Sequence, residues 1–550
     1  MREVDRLTVE QYATPSLLLM ESAAAATLRA ISDEFEGNLS GTKALILCGP
    51  GNNGGDGAAL ARQMADIGMH VDLVLLARVE NTRADARTNF EAVKSLSTFA
   101  AGSQSQPSPI TFIECDSLSE WEDVARPVHA YDMIVDALFG TGLTRPVEGI
   151  YAQVIEHVAM LSRARDRSDS VRPLIVSVDM PSGLNADSSQ LIGSTIKADL
   201  TVTFTAPKLA NVMAPACDYN GKLVIADIGS PTSLIEHTSG KTFVTERTDV
   251  QAWLQRTRYT RGSYKNSHGH VLIIAGSAGY TGAAALCGNA AMQSGAGLVT
   301  VATAASVRAE VAAHLMPEVI TTALAETDRG AVSDAAIDAA LRISEKATVI
   351  GIGPGLTSED ERTRDFVLNI VRQRKHPVVI DADGLNCLAP WPADLRGSEA
   401  LPLVLTPHPG EMLRLIGGKD KTVLDDRVAA ARGFAERHHV IVLLKGAPSL
   451  IAAPDGRVFI NPTGNPGLGT AGSGDTLTGL VAGLIAQGRL ASDPQAVLED
   501  VIAGLYIGGL AGDLAAAKLG MRAMVASDIR EHFSEAILSL DRTGELFGVR

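Results

Sequence analysis

The stretch KALILCGPGNNGGDGAALA, residues 43–61, decides the fold of the first half of this 550-residue chain. A short aliphatic run is followed by a glycine-rich turn, and the apolar pattern then predicts a helix over Ala58–Ile67. A strand, a glycine-rich turn and a helix start in this order offer free N–H groups and a positive dipole end to an anion. The turn contains no lysine, which excludes a nucleotide-binding P-loop here.

Similar apolar runs recur through the first half of the chain. They begin at Lys43, His70, Met133, Pro173 and Leu200. Each run is nearly continuous in apolar residues, which is typical of strands in a parallel sheet that is covered on both faces. Helical segments lie between the runs. We therefore predict an α/β domain with a Rossmann-like, doubly wound sheet.

The second half shows the same alternation of apolar strands and helices, but with different motifs. Its predicted strands begin at His270, Gly297, Ala347, Pro377, Leu403, Val440 and Arg457. Long helices are predicted over Thr476–Gln487 and Ala496–Lys518. Turn residues and mixed polar sequence in the segment 227–250 indicate a boundary. We therefore predict two domains, 1–235 and 244–550.

Composition narrows the class of protein further. Hydrophobic residues make up 46% and charged residues 20%, which excludes a disordered chain. The formal net charge of −15 argues against a nucleic-acid partner or an anionic membrane surface. The five scattered cysteines form no CxxC pair and favour a reducing compartment, so we expect a cytoplasmic protein without a membrane partner. The uncharged segment Val271–Val307 is broken by polar residues and is typical of buried core.

Polar side chains follow three of the predicted strands in the first half. Asn52, Asn53 and Asp56 follow the first of them, and Asp136 and Asp179 end two later strands. Ligands of open parallel sheets bind outside the carboxyl ends of the strands, so these groups can converge on one pocket. A tight turn and aspartates that cap helices are the alternatives that need no ligand.

The motif GTAGSGDTLTGLVAG, residues 469–483, carries the chemistry of the second half. Its Gly-Ser-Gly-Asp segment starts an apolar helix, whose N–H groups form an anion site beside Asp475. A carboxylate placed there can take the proton of a hydroxyl that attacks a phosphoryl group. Lys445 and His408 lie at two other strand ends, where an exposed lysine or a structural histidine is the alternative.

The first-half motifs NNGGDG, DALFGTGL and VDMPSGLNAD resemble the YjeF N-terminal domain, the NAD(P)H-hydrate epimerase family. This resemblance covers roughly residues 1–229. It implies K⁺ ligated by Asn53, Asp136 and Ser182, with Asp179 as a catalytic residue at the substrate. It further implies substrate binding by Asn52, Asn53, Gly54, Gly55, Asp56, Gly140, Thr141, Gly142, Leu143, Thr144, Arg145, Pro146 and Asp179.

The second half resembles the YjeF C-terminal domain, the ADP-dependent NAD(P)H-hydrate dehydratase of the ribokinase-like superfamily. GSAGYTGAA, GPGL, DADGLN, TPHPGE, KGA and GTAGSGD occur here in the order typical of that family. The resemblance implies that Ala283, Gly355, His408 and Asp475 contact the hydrate, with Asp475 as the catalytic base. It implies nucleotide binding by Lys445, Gly446, Ala447, Pro448, Ser449 and Gly474, although the family often has Thr where this chain has Ser449.

Together the two resemblances imply a bifunctional repair enzyme for NADH hydrate and NADPH hydrate. The first domain would epimerise the R and S forms, and the second would dehydrate the S form at the expense of ADP, with Mg²⁺. They also lead us to expect a homo-oligomer. Two alternatives stay open at this point: a kinase for small vitamin alcohols, and a first domain that only binds nucleotides or protein partners.

Overall fold

The computed structural model describes residues 1–101, 109–125, 130–164, 172–237, 240–488 and 495–541. The chain divides into two compact units, Met1–Ser239 and Gly240–Arg550. Each unit has its own sheet, and each is described by itself below.

The sheet of the N-terminal unit is parallel throughout. Within the described residues its strands are β1 (Lys43–Cys48), β2 (His70–Leu75), β3 (Ile110–Glu114), β4 (Met133–Ala137), β5 (Leu174–Val178), β6 (Leu200–Phe204) and β7 (Lys222–Ala226). Their order is β3-β2-β1-β4-β5-β6-β7, and all neighbours are parallel. The chain builds the sheet from β1 to β3 toward one edge and then from β4 to β7 toward the other edge. This order confirms the predicted Rossmann-like, doubly wound sheet.

Strand β1 explains why helices cover both faces of this sheet. Its residues Ile46 and Cys48 pack into one apolar cluster, and Leu45 and Leu47 pack into another. Alternate side chains of a strand point to opposite faces, so a strand buried at every such position needs a layer on each side. The helices of this unit are α1 (Arg2–Tyr12), α2 (Ser16–Glu34), α3 (Asn52–Asp66), α4 (Ala84–Ala101), α5 (Leu118–Ala125), α6 (Ile150–Ala164), α7 (Leu209–Val212) and α8 (Thr232–His237).

Helix α3 begins at Asn52 rather than at the predicted Ala58, so the NNGGD motif is helical. Two close backbone approaches explain the glycines around it. A β-carbon at Gly49 would lie 2.1 Å from the carbonyl oxygen of Leu138, and one at Gly54 would lie 1.8 Å from the carbonyl oxygen of Gly49. These contacts join the end of β1 to both α3 and the segment after β4, and only glycine allows them.

The C-terminal unit has a larger, mixed sheet. Within the described residues its strands are β8 (Thr242–Val244), β9 (His270–Ile274), β10 (Leu298–Ala304), β11 (Ile320–Leu324), β12 (Val349–Ile352), β13 (Val378–Ile380), β14 (Leu403–Leu405), β15 (Ile441–Leu444), β16 (Leu450–Ala452) and β17 (Val458–Ile460). Their order is β11-β10-β9-β12-β13-β14-β15-β16-β17-β8. The pairs β15–β16 and β16–β17 are antiparallel and the others are parallel.

Helices surround this sheet. They are α9 (Arg247–Arg256), α10 (Thr281–Gln293), α11 (Arg308–His314), α12 (Ile337–Ser344), α13 (Glu361–Arg372), α14 (Asp383–Cys387), α15 (Pro409–Ile416), α16 (Arg427–His438), α17 (Ser473–Gln487), α18 (Ala496–Leu519), α19 (Ala526–Glu531) and α20 (Phe533–Leu540). The sequence placed Gly-Ser-Gly-Asp at the start of this helix, with its apolar stretch from Thr476. Helix α17 begins at Ser473, so the Gly-Asp pair of the motif lies in its first turn.

Helix α18 is long and apolar enough to cross a membrane, and among the described helices it alone meets that test. However, 72% of its apolar window is buried inside the protein. Its residues Tyr506 and Ile507 belong to an apolar cluster that also contains Trp253 and Phe533. The apolar character of α18 is therefore explained by core packing.

Candidate functional sites

The first candidate site is a cavity of about 840 Å³ at the carboxyl edge of the N-terminal sheet. Helix α1 and the segments that follow β1, β4, β5 and β6 line it. Cavities of roughly 300–1,000 Å³ hold most small-molecule ligands. The predicted site residues among its lining are Asn52, Asn53, Asp56, Gly140, Thr141, Gly142 and Asp179.

Asp136 is fully buried near the end of β4 and is held by several donors. Its Oδ2 accepts hydrogen bonds from the hydroxyl of Ser177 and from the N–H of Ser182, both at 2.8 Å. Its Oδ1 accepts from the hydroxyl of Ser182 at 2.5 Å and from the N–H of Leu138 at 3.3 Å. The Ser182 hydroxyl also accepts from the N–H of Phe139 at 3.0 Å. Asp136 and Ser182 are thus in direct contact.

The partners of Asp136 are all neutral, and none of the ion pairs between described residues includes it. Burial raises the pKa of Asp136, and the hydrogen bonds from Ser182 and Ser177 oppose this rise. A carboxylate buried without a counter-charge is costly. A monovalent cation beside this carboxylate would supply the missing charge. Asn53 is also buried, and its Nδ2 has no hydrogen-bond partner among the described residues.

Asp179 follows β5 and is ion-paired with Lys208, which follows β6. The backbone of Asp179 is left-handed, with φ of 66°, a conformation that Asp tolerates better than most residues. Lys208 donates to Asp179 Oδ1, to the hydroxyl of Thr203 at 2.8 Å and to the carbonyl of Phe204 at 3.1 Å. Both charged residues are buried and both line the cavity. The sequence analysis did not single out Lys208.

Gly140 brings Asn53 and Asp179 to the same wall of the cavity. A β-carbon at Gly140 would lie 3.2 Å from Asn53 Oδ1 and 3.2 Å from Asp179 Oδ2. The absence of a side chain at Gly140 therefore leaves both polar groups open to a ligand.

Two further carboxyl groups line this cavity. Burial, Asp179 and Asp5 together raise the pKa of Asp56 well above its usual range. Burial also raises the pKa of Asp5 on helix α1, which Lys208 partly opposes. The cavity therefore combines one lysine-paired aspartate with carboxyl groups that favour the neutral form.

Some predicted substrate residues lie outside the cavity lining. Gly54 and Gly55 are buried within α3, where a β-carbon at Gly55 would lie 2.9 Å from the Cα of Ala86. Glycine is present at both positions because neighbouring backbone atoms leave no room for a side chain. The segment 143–146 lies beyond the lining, and three of its residues are exposed: Thr144, Arg145 and Pro146.

The second candidate site surrounds the start of α17. Gly472, with φ of 84°, lies immediately before the helix. The first N–H groups of an α-helix have no acceptor within the helix, so those of Gly474 and Asp475 suit an anion, whereas that of Ser473 donates to the carbonyl of Thr470 at 3.4 Å. The Ser473 hydroxyl is turned back to the carbonyls of Leu468 and Thr470 at 2.8 and 2.9 Å. The backbone, rather than the serine hydroxyl, therefore forms the anion-binding surface.

Lys445 connects this helix start to two other strand ends. Its Nζ lies 2.8 Å from Asp381 Oδ1, after β13, and 4.0 Å from Glu411 Oε2, in α15. Burial lowers the pKa of Lys445, but Asp381 and Glu411 outweigh that effect and raise it overall. A β-carbon at Gly474 would lie 3.2 Å from Lys445 Nζ and 3.5 Å from Asp381 Oδ2. Lys445 therefore points at the first turn of α17, as the predicted nucleotide site requires.

Asp381 and Asp475 lie at the same site, but their pKa values are shifted in opposite directions. Asp381 is almost fully buried and also accepts a hydrogen bond from the hydroxyl of Thr478 at 2.7 Å. Burial raises the pKa of Asp381, but Lys445 outweighs burial and lowers it overall. Burial raises the pKa of Asp475 to about 7, with Asp381 adding to the rise and Lys445 opposing it. Asp475 is therefore poised to exchange a proton near neutral pH.

His408 caps helix α15 with its side chain. Its Nδ1 accepts from the N–H of Gly410 at 2.9 Å and from the N–H of Glu411 at 3.3 Å. A ring nitrogen that accepts cannot carry a proton, so the neutral ring has its proton on Nε2. The side chain of His408 is about half exposed, and its Nε2 lies 3.5 Å from Glu411 Oε1. A ligand that accepts from this N–H would take the place of Glu411.

The other predicted residues of this site fall into two groups. Ala283 and Gly355 are neighbours, because a β-carbon at Gly355 would lie 3.0 Å from the Cβ of Ala283. The loop of Lys445–Ser449 is held by Arg427, which the sequence analysis missed and which donates to the carbonyl of Pro448 at 2.8 Å. Within that loop the Ser449 hydroxyl donates to the carbonyl of Gly446 at 3.0 Å, a bond that Thr could also make.

Two family models match this chain. One, described as YjeF-related protein N-terminus, matches residues 16–210, and the other, described as NAD(P)H-hydrate dehydratase, matches residues 271–535. A bifunctional NAD(P)H-hydrate repair enzyme of Moorella thermoacetica is 40% identical over 549 residues, 99% of this chain and 97% of that protein. The chain belongs to the family of bifunctional NAD(P)H-hydrate repair enzymes.

Two further proteins are similar to the chain. The Escherichia coli K12 enzyme of the same name is 34% identical over 489 residues, 88% of this chain and 83% of that protein. A crystal structure of the ADP/ATP-dependent NAD(P)H-hydrate dehydratase of Bacillus subtilis, co-crystallised with ATP/Mg²⁺, covers 55% of this chain and 100% of its own, with 27% identity and a TM-score of 0.47. The family resemblance predicted from the motifs is confirmed.

Lys208, Asp381 and Arg427 lie at the candidate sites of this repair-enzyme chain, and sequence reasoning missed them. Two of them carry a signal that could have been used. Lys208 ends the run LTVTFTAPK, and Asp381 directly follows the apolar residues PVVI of the run PVVIDADGLN. A charged residue soon after a buried strand of a parallel sheet lies at the ligand-binding edge. Arg427 lies in a helix, where the sequence has no comparable signal.

Proposed function

We propose that this chain repairs hydrated NADH and NADPH with two activities. The domain 1–235 epimerises the R and S hydrates, and the domain 244–550 dehydrates the S form at the expense of ADP, giving NAD(P)H, AMP and phosphate. The observation that carries this function is Asp475, which has a pKa of about 7 and lies in the first turn of a helix that suits a phosphate. The family membership supports the same pair of activities.

In the epimerase, the substrate carbon is C6 of the hydrated nicotinamide ring. The ring nitrogen pushes out the C6 hydroxyl, which takes up a proton and leaves as water, and a C6–nitrogen double bond forms. Water then adds to the other face of C6 and loses a proton. Asp179 exchanges these protons, because its Oδ2 lies beside Gly140 at the cavity wall. Asn52, Asn53 and Thr141 line the same cavity and bind the substrate.

Potassium suits the group formed by Asn53, Asp136 and Ser182. The oxygens of Asp136 and Ser182 are in contact, and the carboxylate has neutral partners. Asn53 would add its amide oxygen, since its unpartnered Nδ2 is an N–H donor and cannot bind a cation. When bound, K⁺ would supply a fixed positive charge at the carboxyl edge of β4. The hydroxyl of Ser182 links this group to the segment after β4 through the N–H of Phe139. Ser182 thereby helps to position Gly140, which lies at the cavity wall next to Phe139.

In the dehydratase, Asp475 takes the proton of the C6 hydroxyl while that oxygen attacks the β-phosphorus of ADP. The bond to AMP breaks, and the N–H groups of Gly474 and its neighbours stabilise the charge on the transferring group. The ring nitrogen then expels phosphate from C6, and loss of a proton from C5 restores the ring double bond. His408 donates from Nε2 to the hydrate, which also contacts Ala283 and Gly355.

The nucleotide binds along Lys445–Ser449 and Gly474, with Mg²⁺ on its phosphates. Three carboxylates share the single ammonium of Lys445: Asp381, Asp475 and Glu411. This excess of negative charge fits a divalent cation that arrives with phosphate ligands, and Asp381 and Glu411 would hold it. Mg²⁺ would neutralise charge on the phosphates.

We also propose a cytoplasmic location and a homo-oligomeric assembly, with no nucleic-acid or membrane partner. All five cysteines are free, which is typical of a reducing compartment. The net charge of −15 is unfavourable for binding to nucleic acids and anionic membranes. The homo-oligomer rests on the family alone.

Recovery of reduced-nicotinamide absorbance from a mixed R/S hydrate, with ADP and Mg²⁺, tests this function. We expect complete recovery, and none without nucleotide. Recovery that stops at the S fraction would contradict the epimerase and leave the first domain as a binding module. Consumption of ADP with a vitamin alcohol and a stable phosphorylated product, without recovery, would favour a kinase.

A further inference from the structure

The ion pair of Lys208 and Asp179 has a geometry that a structural salt bridge does not require. The hydrogen bonds that described residues give to the Asp179 carboxylate all end on Oδ1: from Lys208, from the hydroxyl of Thr203 at 3.3 Å and from the N–H of Phe204 at 3.4 Å. Oδ2 lies on the other side, beside Gly140. The carboxylate is therefore held at one oxygen and open at the other.

The ammonium of Lys208 uses all of its hydrogen-bond donors within the protein. It has three protons and three acceptors, which are Asp179 Oδ1, the Thr203 hydroxyl and the Phe204 carbonyl. The exposed fraction of its side chain is 6%, and that of Asp179 is 12%. An ammonium that is buried and saturated in this way has no proton left to donate to a substrate. Its action on a ligand must pass through Asp179.

We propose that Lys208 is a positioning residue of the epimerase site, which holds the Asp179 carboxyl by Oδ1 so that Oδ2 faces C6 of the hydrate. This inference rests on the proposed epimerase activity and names the group that fixes the orientation of Asp179. No bond to Lys208 forms or breaks. The C6 hydroxyl takes a proton from Asp179 Oδ2 as it leaves as water, and the water that adds to the other face of C6 returns a proton to the same oxygen.

Two further carboxyl groups lie near this pair. Burial and Asp179 raise the pKa of Asp56 on α3 and of Asp5 on α1, and Lys208 opposes both shifts. The remaining charged side chains that line the cavity come from α1 and are Arg2, Arg6 and Glu10.

The experiment compares Lys208→Met and Lys208→Gln in the full chain, with Lys222→Met as the matched control. Lys222 is also ion-paired, with Glu34, but lies at the surface of the same unit. The rate of recovery of the R fraction measures epimerisation, and that of the S fraction measures dehydration. We expect kcat for epimerisation to fall about 20-fold in both Lys208 variants, with KM changed less than about threefold. Lys222→Met and all S-fraction rates should match the parent.

Two readouts separate positioning from mere support of the fold. The epimerisation pH profile should move to higher pH by about one unit in Lys208→Gln, which keeps a donor but loses the positive charge beside Asp179. In addition, Lys208→Met should cost nothing further in an Asp179→Asn background, because a residue that acts through Asp179 has no target there. Calorimetric unfolding shows whether Lys208→Met folds. If it does not fold, the measurements on Lys208→Gln test the positioning role.

An unchanged pH profile and full additivity with Asp179→Asn would overturn the positioning role. Unchanged epimerisation in folded Lys208→Met would overturn it as well. A parent chain that recovers no R fraction would instead overturn the proposed epimerase activity, so the two failures are distinguishable.

Discussion

In the N-terminal site, the aspartate that we assign to proton transfer, Asp179, is ion-paired with Lys208. In the C-terminal site the lysine-paired aspartate is Asp381, bound to Lys445, whereas the assigned base, Asp475, has no ion pair among the described residues. Both sites thus contain a lysine and an aspartate at strand ends, but the proton goes to the paired aspartate in one and to the unpaired aspartate in the other.

The difference matches the two reactions. Epimerisation returns to the substrate every proton that it takes, so its aspartate has to exchange a proton but not to retain one. Phosphoryl transfer must remove the proton of an alcohol, and a base whose pKa is near the working pH is more effective. Burial raises the pKa of Asp475 to about 7, which gives it that strength. The ammonium of Lys445, held by Asp381, remains near the first turn of α17.

The largest effect is expected from Asp475→Asn, which removes the unpaired base. Dehydration of the S hydrate should fall about 10³-fold, since general base catalysis contributes roughly 10²–10⁴-fold. Absorbance recovery measures the rate, and calorimetric titration with ADP should show retained nucleotide binding. Epimerisation in the same chain serves as the control. Unchanged dehydration would remove Asp475 from the mechanism and break the comparison.

Asp179→Asn is the corresponding change in the other site and should cost somewhat less. We expect epimerisation to fall about 10²-fold, because the amide keeps the hydrogen-bonding shape but cannot accept the proton. Recovery of the R fraction measures this loss, while recovery of the S fraction should equal that of the parent. An equal loss of R and S recovery would mean that the substitution affects the whole chain, and it would contradict a specific role of Asp179 in epimerisation.

The pH dependence of dehydration sharpens the contrast between the paired and unpaired aspartates. A base with a raised pKa of about 7 is mostly protonated below that pH and ionised above it. The turnover of the S hydrate should therefore rise roughly tenfold from pH 6 to pH 8. Epimerisation, which does not use Asp475, should lack the transition that Asp475 causes. A flat profile for dehydration would contradict the role of Asp475.

The smallest effect concerns the buried Asp136. Replacing K⁺ by choline at constant ionic strength should lower the unfolding temperature of the N-terminal unit by a few degrees, equivalent to about 1 kcal/mol. Asp136→Asn should abolish this dependence, because the buried charge is gone. Scanning calorimetry measures both. The same K⁺ effect in parent and variant would place the cation elsewhere.

Much of the fold could be predicted because buried strands have a simple pattern. Lys43–Cys48 forms β1 as expected, and the glycines after it mark the ligand-binding edge. The start of α3 was misplaced, since local propensity favours a turn at Asn-Asn-Gly-Gly. Contacts of Gly49 and Gly54 with other backbone segments make that stretch helical, and such contacts are not visible in a local pattern.

The sequence by itself determined the two α/β domains, the family and the polar strand ends, because periodicity and motif spacing are local. It also identified Asp475 and Asp179 as candidates. Only the tertiary structure decided which aspartate carries a lysine partner, since Lys208 is 29 residues from Asp179 and Lys445 is 64 residues from Asp381. Charge state depends on burial and on neighbours brought together by the sheet, and these are properties of the folded chain.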